Sequence, residues 1–193
     1  MAKKEYKRMS AKESIQIKRY LNVIYTAVDI LQNEFIDKKI SYIGEESTIS
    51  IVFSASNFMH LCGIEYRRGT QLFFQDALDK KIKLEDINIK VDGTTFLKLQ
   101  VLGSIDLLLD EKIAIVGQGI FSSLRYDAAI RTRRKILALS LMQEGSTYVP
   151  ISLLNLTQKE LGPGQKVICI LSENLTSGEV TVIFENSVVA IDV

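Results

Sequence analysis

The sequence predicts an α+β protein, with helices through the first half of the chain followed by a small antiparallel β-sheet. Three observations carry this. Apolar residues recur at three- and four-residue steps from Ile17 through Leu21, Ile24 and Val28 to Leu31, the period of a helix with one buried face. After Lys112 the period shortens, and "LRYDAAIRTR" alternates residue by residue, as a half-buried strand does. Two pairs of β-branched runs are joined by short polar turns, as in hairpins. Helices and strands segregate along the chain, which indicates an antiparallel sheet.

The elements follow in order. Ser10 and Glu13 form an S-x-x-E capping box, which opens a long helix over Ala11 to Ile36. "KKISYIG" and "STISIVFS" flank the acidic turn "GEES" and read as a hairpin. "SASNFMHLCG" is a short helix, capped by Ser54 or Ser56 and stopped by Gly63. "TQLFFQDALDKK" is another, with Leu72, Phe73 and Leu78 inward. "DGTTFLKLQVLGSIDLLLDE" reads as a further long helix, capped at Gly-Thr-Thr and carrying Phe96, Leu99, Leu102, Ile105 and Leu109 on its apolar face.

"KIAIVGQGIF" is a short apolar strand. In "LRYDAAIRTR" the alternation puts Leu124, Tyr126, Ala128, Ile130 and Thr132 on one face. Arg125, Asp127, Ala129, Arg131 and Arg133 take the other. "KILALSLMQ" is apolar enough for a buried strand, although its pattern also fits a helix. "YVPISLLNLTQKELGPGQ" reads as a loop with a short helical piece, punctuated by Pro150, Gly162 and Pro163. "KVICILSEN" and "EVTVIFENSVV" form a last hairpin around "LTSG".

The 193 residues are 47% hydrophobic and 24% charged, which suits one soluble domain that needs no disulfide or metal staple. Cys62 and Cys169 make no C-x-x-C pair. Neither a disulfide framework nor structural zinc is expected, and the usage fits a reducing cytoplasm. No apolar run reaches the length of a bilayer span. The basic start "MAKKEYKRMS" is not followed by an apolar signal core. The expectation is a cytoplasmic protein without a membrane partner. Net charge is +1, yet "RYDAAIRTRRK" and "KKEYKR" are locally basic, which is enough for a phosphate-binding surface. Aromatic residues make up 8% and Trp is absent, so no base-stacking platform is expected.

His60 is the only histidine in the chain, and histidine is the side chain whose ordinary pKa sits near neutrality. It reads either as a proton carrier or as a helix residue hydrogen-bonded at the core edge, since Phe58, Met59, Leu61 and Cys62 around it are apolar. No second histidine is present and Cys62 points away on a helix, so a metal site is not expected. Arg67 and Arg68 follow the His60 helix, and Arg125, Arg131 and Arg133 share a strand face. Guanidinium groups suit phosphate; the same residues also make an ordinary solvated face with Asp127 pairing one of them. "GQGIF" lacks the third glycine and the lysine of a nucleotide loop, so Gln118 reads as a turn residue able to donate to a ligand. Lys98 reads as a solvated helix residue. No zinc, flavin or nicotinamide pattern occurs, and no cofactor is expected.

"NFMHLCGI", "DGTTFLKLQVL", "IVGQGIFSSLRYDAAIRTRRKILALSLMQ" and "YVPISLLNL" together resemble a family of predicted nucleases of phages and mobile elements. It is the fourth phage-associated branch of the barnase–EndoU–colicin–RelE superfamily. The blocks occur in order and cover about Ile40 to the last hairpin. The resemblance implies a barnase/RelE-like domain over 39–193, with 1–38 a helical segment packed on it. It also implies cofactor-free, metal-independent RNA cleavage by 2′-hydroxyl attack on the adjacent phosphate. His60 matches the family's histidine block and takes the role of general acid or base. Arg131 and Arg133 match "RTR" and act as phosphate clamps, with Gln118 and Thr132 as orienting groups. Arg125, Arg67, Arg68 and Lys98 are substrate-binding candidates. A barnase-style carboxylate base is not placed by the motif; Asp127 and Glu65 are the candidates.

The implied partners are RNA, including tRNA or another structured RNA, and an immunity or host-defence protein. The implied role is toxin or conflict effector. Two other readings stand beside this one. One is a non-catalytic protein that inhibits a host defence or toxin protein through its basic face. The other is a structural protein without a site.

Overall fold

The computed structural model describes residues 5–132 and 136–186. Arg133, at the end of the expected arginine face, lies outside them, as do residues 187–189 of the last expected strand.

Helix α1 spans Ala11–Glu34. The Ser10 amide donates to Glu13 Oε2 at 2.8 Å and the Glu13 amide donates to Ser10 Oγ at 3.3 Å, which closes the capping box. Hydrogen bonds from Lys7 and from Ser10 hold the Glu13 carboxyl down at about 2. Ile17, Ile24, Ala27, Val28 and Leu31 form its buried stripe. Strands β2 (Lys38–Gly44) and β3 (Thr48–Val52) form the expected hairpin. Helix α2 (Ala55–Cys62) starts at Ser54 and stops at Gly63.

A small sheet was not visible in the sequence pattern. Strands β1 (Tyr6–Arg8), β4 (Ile64–Tyr66) and β5 (Ile87–Lys90) pair antiparallel in the order β1-β5-β4. Helix α3 (Thr70–Leu78) buries Phe73, Phe74 and Ala77, while Leu72, expected inward, is 42% exposed. The expected third long helix is broken. Helix α4 covers only Thr94–Leu102, and after Gly103 a 3-10 turn carries Ile105–Leu109. The apolar steps continue across the break, so the pattern alone does not register it.

The second half departs further. "KIAIVGQGIF" is two strands, β6 (Ile113–Val116) and β7 (Gly119–Phe121). "LRYDAAIRTR" is also two, β8 (Leu124–Tyr126) and β9 (Ala128–Thr132). The chain turns at Asp127, whose amide donates to Leu141 O and whose carboxylate accepts from the Gln143 amide. A single strand face bearing Arg125 and Arg131 therefore does not form. Of the two readings open for "KILALSLMQ", the strand is the one that forms, as β10 (Leu137–Glu144). The expected loop at Tyr148 is instead strand β11 (Thr147–Asn155). It accommodates Pro150 because the register slips there: Leu141 faces Pro150 while Ser140 faces Ser152, and a bulge tolerates the missing amide. Strands β12 (Gln165–Asn174) and β13 (Val180–Glu185) make the last hairpin.

The main sheet is not a small antiparallel one but a closed seven-strand barrel, β12-β2-β3-β11-β10-β9-β6 and back to β12, with β13 paired on β12 outside the ring. One neighbouring pair, β3 with β11, is parallel. Closure depends on the length of β12, ten residues. Its body pairs with β2, and its first residues reach β6 through Gln165 opposite Ile115 and Lys166 opposite Ala114. Gly164 precedes them; a Cβ there would sit 2.5 Å from Ile115 O, so only glycine lets the strands meet. Residues of β9 and β10 are buried on both faces. Ile130 and Leu139 join the main core with the α1 stripe, and Ala129 and Ala138 join a second cluster with Leu154 and Leu156.

Candidate functional site

A cleft of about 480 Å³ opens where α4, β11 and the β7–β8 hairpin approach one another. The first stretch lining it comes from β5 and α4: Lys90, Asp92, Thr94, Leu97 and Lys98, with Glu5 just before β1. The second is the hairpin tip Phe121–Leu124, and the third is Ser152–Asn155 of β11.

Lys98 is the centre of this arrangement. Its residue is only 8% exposed, against the expectation of a solvated helix residue. The sequence places it there through two partners. Gly63 ends α2 in the left-handed region at φ 65°, and a Cβ on it would lie 2.9 Å from Lys98 Cδ, so the absence of a side chain makes room for the lysine stem. Thr95 Oγ1 donates to Gly63 O at 2.5 Å and accepts from the Lys90 amide at 2.9 Å, which ties α4, α2 and β5 together. Lys98 Nζ then donates to the His60 carbonyl at 2.7 Å. Burial, reinforced by the charge of Lys90, brings the Lys98 ammonium down to about 8.

His60 stands on the last turn of α2, exposed, while Phe58, Met59, Leu61 and Cys62 beside it are buried. Its ring does not line the cleft but feels it. Partial desolvation and the charges of Lys98 and Lys90 hold the imidazole below its ordinary 6.5, with Glu5 pulling the other way. Burial drives the Cys62 thiol far up, so it is a core residue. Lys90 forms a short ion pair with Glu5. Burial pulls the Lys90 ammonium down, but the hydrogen bond and charge of Glu5, with Tyr6 and Asp92, outweigh it and hold it above its ordinary value. Asp92 accepts from the amide and the hydroxyl of Thr94, the first residue of α4, whose N-cap is Gly93.

The other sequence candidates lie elsewhere. Gln118 is exposed between β6 and β7. Arg125 is exposed on β8 opposite Ile120. Arg131 is half-buried in β9, and its Nε has no hydrogen-bond partner among the described residues. Thr132 is buried, and its hydroxyl is committed to the Ile136 and Leu137 amides and the Leu137 carbonyl, which leaves nothing to orient a ligand. Arg67 pairs with Asp86 at 2.8 Å and Arg68 with Asp76 at 2.6 Å. Of the carboxylate candidates, Asp127 serves Gln143 and Glu65 accepts from Asn88. None of these residues lines the cleft. The structure brings together His60 and Lys98, and adds Lys90, Glu5, Thr94 and the hairpin tip. Thr94 and "FSSL" sit inside the blocks that carried the resemblance, but nothing in their spacing marks them.

The described residues thus form a mixed α+β fold with a cleft lined by a buried lysine, whose ammonium is bonded to the backbone of a histidine at the end of α2. Residues 24–187, most of the chain, match the model of the family described as phage-Barnase-EndoU-ColicinE5/D-RelE like nuclease4, and the protein belongs to that family. The match begins inside α1, upstream of the blocks quoted from the sequence. No curated protein and no solved structure matches the chain. Among the described residues no helix is long and apolar enough to cross a membrane.

Proposed function

We propose that the protein is a metal-independent ribonuclease that cleaves RNA by 2′-hydroxyl attack on the adjacent phosphorus, with the cleft beside His60 as its active site. The observation that carries this is Lys98, a buried lysine brought to about 8 that lines the cleft and is hydrogen-bonded to the backbone of the chain's one histidine. The two groups are shifted so that near neutral pH they hold complementary states. His60, whose ring stands outside the cleft lining, is mostly neutral and takes the 2′-hydroxyl proton of a nucleotide seated at the cleft's rim. Lys98 is mostly protonated, offsets charge on the phosphorane and donates its proton to the departing 5′-oxygen. The O2′–P bond forms and the P–O5′ bond breaks, leaving a 2′,3′-cyclic phosphate and a 5′-hydroxyl; solvent restores both protonation states. Lys90 is a second cation for the phosphate. The clamp role expected of Arg131 and Arg133 passes in this reading to Lys90 and Lys98.

The test is incubation of the purified chain with tRNA and total RNA in EDTA from pH 5 to 9. Cleavage that disappears in His60→Ala and in Lys98→Met, with both variants folded by circular dichroism, is the expected result. Intact RNA across that range removes the proposal. The proposed role as a toxin or conflict effector is checked by growth arrest on induction in a host cell, relieved by either substitution. A non-catalytic inhibitor using a basic face is favoured less, because the arginines fall on different elements and Arg67 and Arg68 are already paired with carboxylates.

A further inference from the structure

The cleft is chemically divided. Its α4 and β5 stretch carries the ammonium groups of Lys90 and Lys98, whereas the β7–β8 tip presents an aromatic ring and two hydroxyls. Phe121 and Leu124 face each other across a two-residue turn, Ser122-Ser123, with Ser122 at φ 58°. Lys159 Nζ lies over one face of the Phe121 ring at 4.9 Å from its centroid. The ring and Leu124 rest on the second core cluster. The Ser122 and Ser123 hydroxyls have no hydrogen-bond partner among the described residues, whereas Asn155 is spent on Leu97, Gln100 and Thr157.

We propose that the hairpin tip Phe121–Ser123 is the nucleobase subsite of the cleft, where an unstacked base lies on the face of the Phe121 ring away from Lys159 while Lys90 and Lys98 hold the adjoining phosphate. This deepens the ribonuclease reading and rests on it. It names the substrate class as single-stranded or looped RNA. The cleft, at about 480 Å³, falls in the range of roughly 300–1,000 Å³ that takes one small ligand. That admits a splayed nucleotide. Stacking on a single aromatic face is tolerant of base identity, and Ser122 and Ser123 supply the hydroxyls that read a base edge.

The chain has no tryptophan, so Phe121→Trp places a unique fluorophore in the subsite. The variant is titrated with a short single-stranded RNA made uncleavable by 2′-deoxy substitution at the scissile position. Saturable quenching of tryptophan emission is expected, with no quenching by an RNA duplex or by inorganic polyphosphate at equal charge. In parallel, Phe121→Ala is expected to raise KM for a cleavable strand roughly 5- to 150-fold with a far smaller change in kcat, and Phe121→Tyr to restore it. The fluorescence readout needs no turnover, so the two proposals fail separately. Quenching by the single strand supports the subsite even if the wild-type protein cuts nothing. Absence of quenching while the wild-type chain cleaves RNA overturns the subsite alone, as does a Phe121→Leu variant with wild-type KM or equal quenching by duplex.

Discussion

Lys98→Met separates the stability of the cleft from its chemistry. In the folded chain the ammonium is brought from its ordinary 10.5 to about 8. At ~1.36 kcal/mol for each pH unit, holding the charged form in place costs about 3 kcal/mol. Methionine has a similar volume and no charge, so it removes that cost. It also removes the hydrogen bond to His60 O, worth about 1 kcal/mol. The carbonyl is not orphaned, because the Gly63 amide still donates to it at 3.1 Å. The variant is therefore expected to be more stable than wild type by about 2 kcal/mol at pH 7, a rise of roughly 4–8 °C in Tm for a chain of this size.

The sign of the pH dependence is fixed. Below pH 8 both the folded and the unfolded chain carry the Lys98 proton, and the penalty is felt in full. Between 8 and 10.5 the folded chain releases it while the unfolded chain keeps it, so wild-type stability rises with pH relative to the variant. The advantage of Lys98→Met should shrink across that window and vanish by its upper end. Urea melts followed by circular dichroism at pH 7, 8, 9 and 10.5 measure it, and the same preparations are assayed for RNA cleavage, which should be lost. A variant less stable than wild type at pH 7, or an advantage that stays constant from 8 to 10.5, refutes the assignment of Lys98 as a buried, strained cation.

Four further outcomes are expected. The kcat/KM profile against pH should be bell-shaped, with an acid limb below the ordinary histidine value of 6.5 and an alkaline limb near 8; Lys98→Met should abolish turnover, whereas a profile flat from 6 to 9 removes the pair. Glu5→Gln should free Lys90 from its ion pair and tighten RNA binding at low salt, steepening the log–log salt slope in filter binding by roughly 0.7; weaker binding would show that Glu5 positions Lys90 rather than competes for it. Gly63→Ala should cost about 1–2 kcal/mol for the left-handed backbone and, by pressing on Lys98 Cδ, lower kcat beyond what the Tm loss explains. Thr132→Val should destabilise by about 1–3 kcal/mol, because two amides lose their acceptor, while KM for RNA stays at the wild-type value.

What the sequence made legible was local. The capping box at Ser10, the stop at Gly63 and the hairpin around "GEES" each depend on a few neighbouring residues, and each stands in the structure as read. What it concealed was non-local. Barrel closure pairs Gln165 with Ile115, and β3 meets β11 through Ile51 and Tyr148; neither contact leaves a periodic trace. The alternation in "LRYDAAIRTR" is real, but an alternating run does not say where its backbone hydrogen bonds go. The Asp127 amide goes to Leu141 and splits the run into strands of two different sheets. Lys98 was hidden for the related reason that a lysine at helical spacing is ordinarily solvated.

The burial of Lys98 ties the site to the fold more tightly than the arginine arrangement would have. An arginine face on one strand needs only alternation, and could be lost or kept without disturbing the core. Lys98 instead needs Gly63 to lack a side chain, Thr95 to bridge the Gly63 carbonyl to the Lys90 amide, and the end of α2 to present a carbonyl. The same bridge ties the end of β5, and with it Lys90, to α4, while Asp92 accepts from Thr94 at the start of that helix. The His60 backbone carbonyl is the lysine's acceptor. In the proposed reading, one hydrogen bond thus couples the turn of α2 that carries His60 to the charge of Lys98. A substitution anywhere in that chain of contacts should alter the pH profile and the folding stability together, whereas one in Arg67 or Arg68 should move neither pH limb.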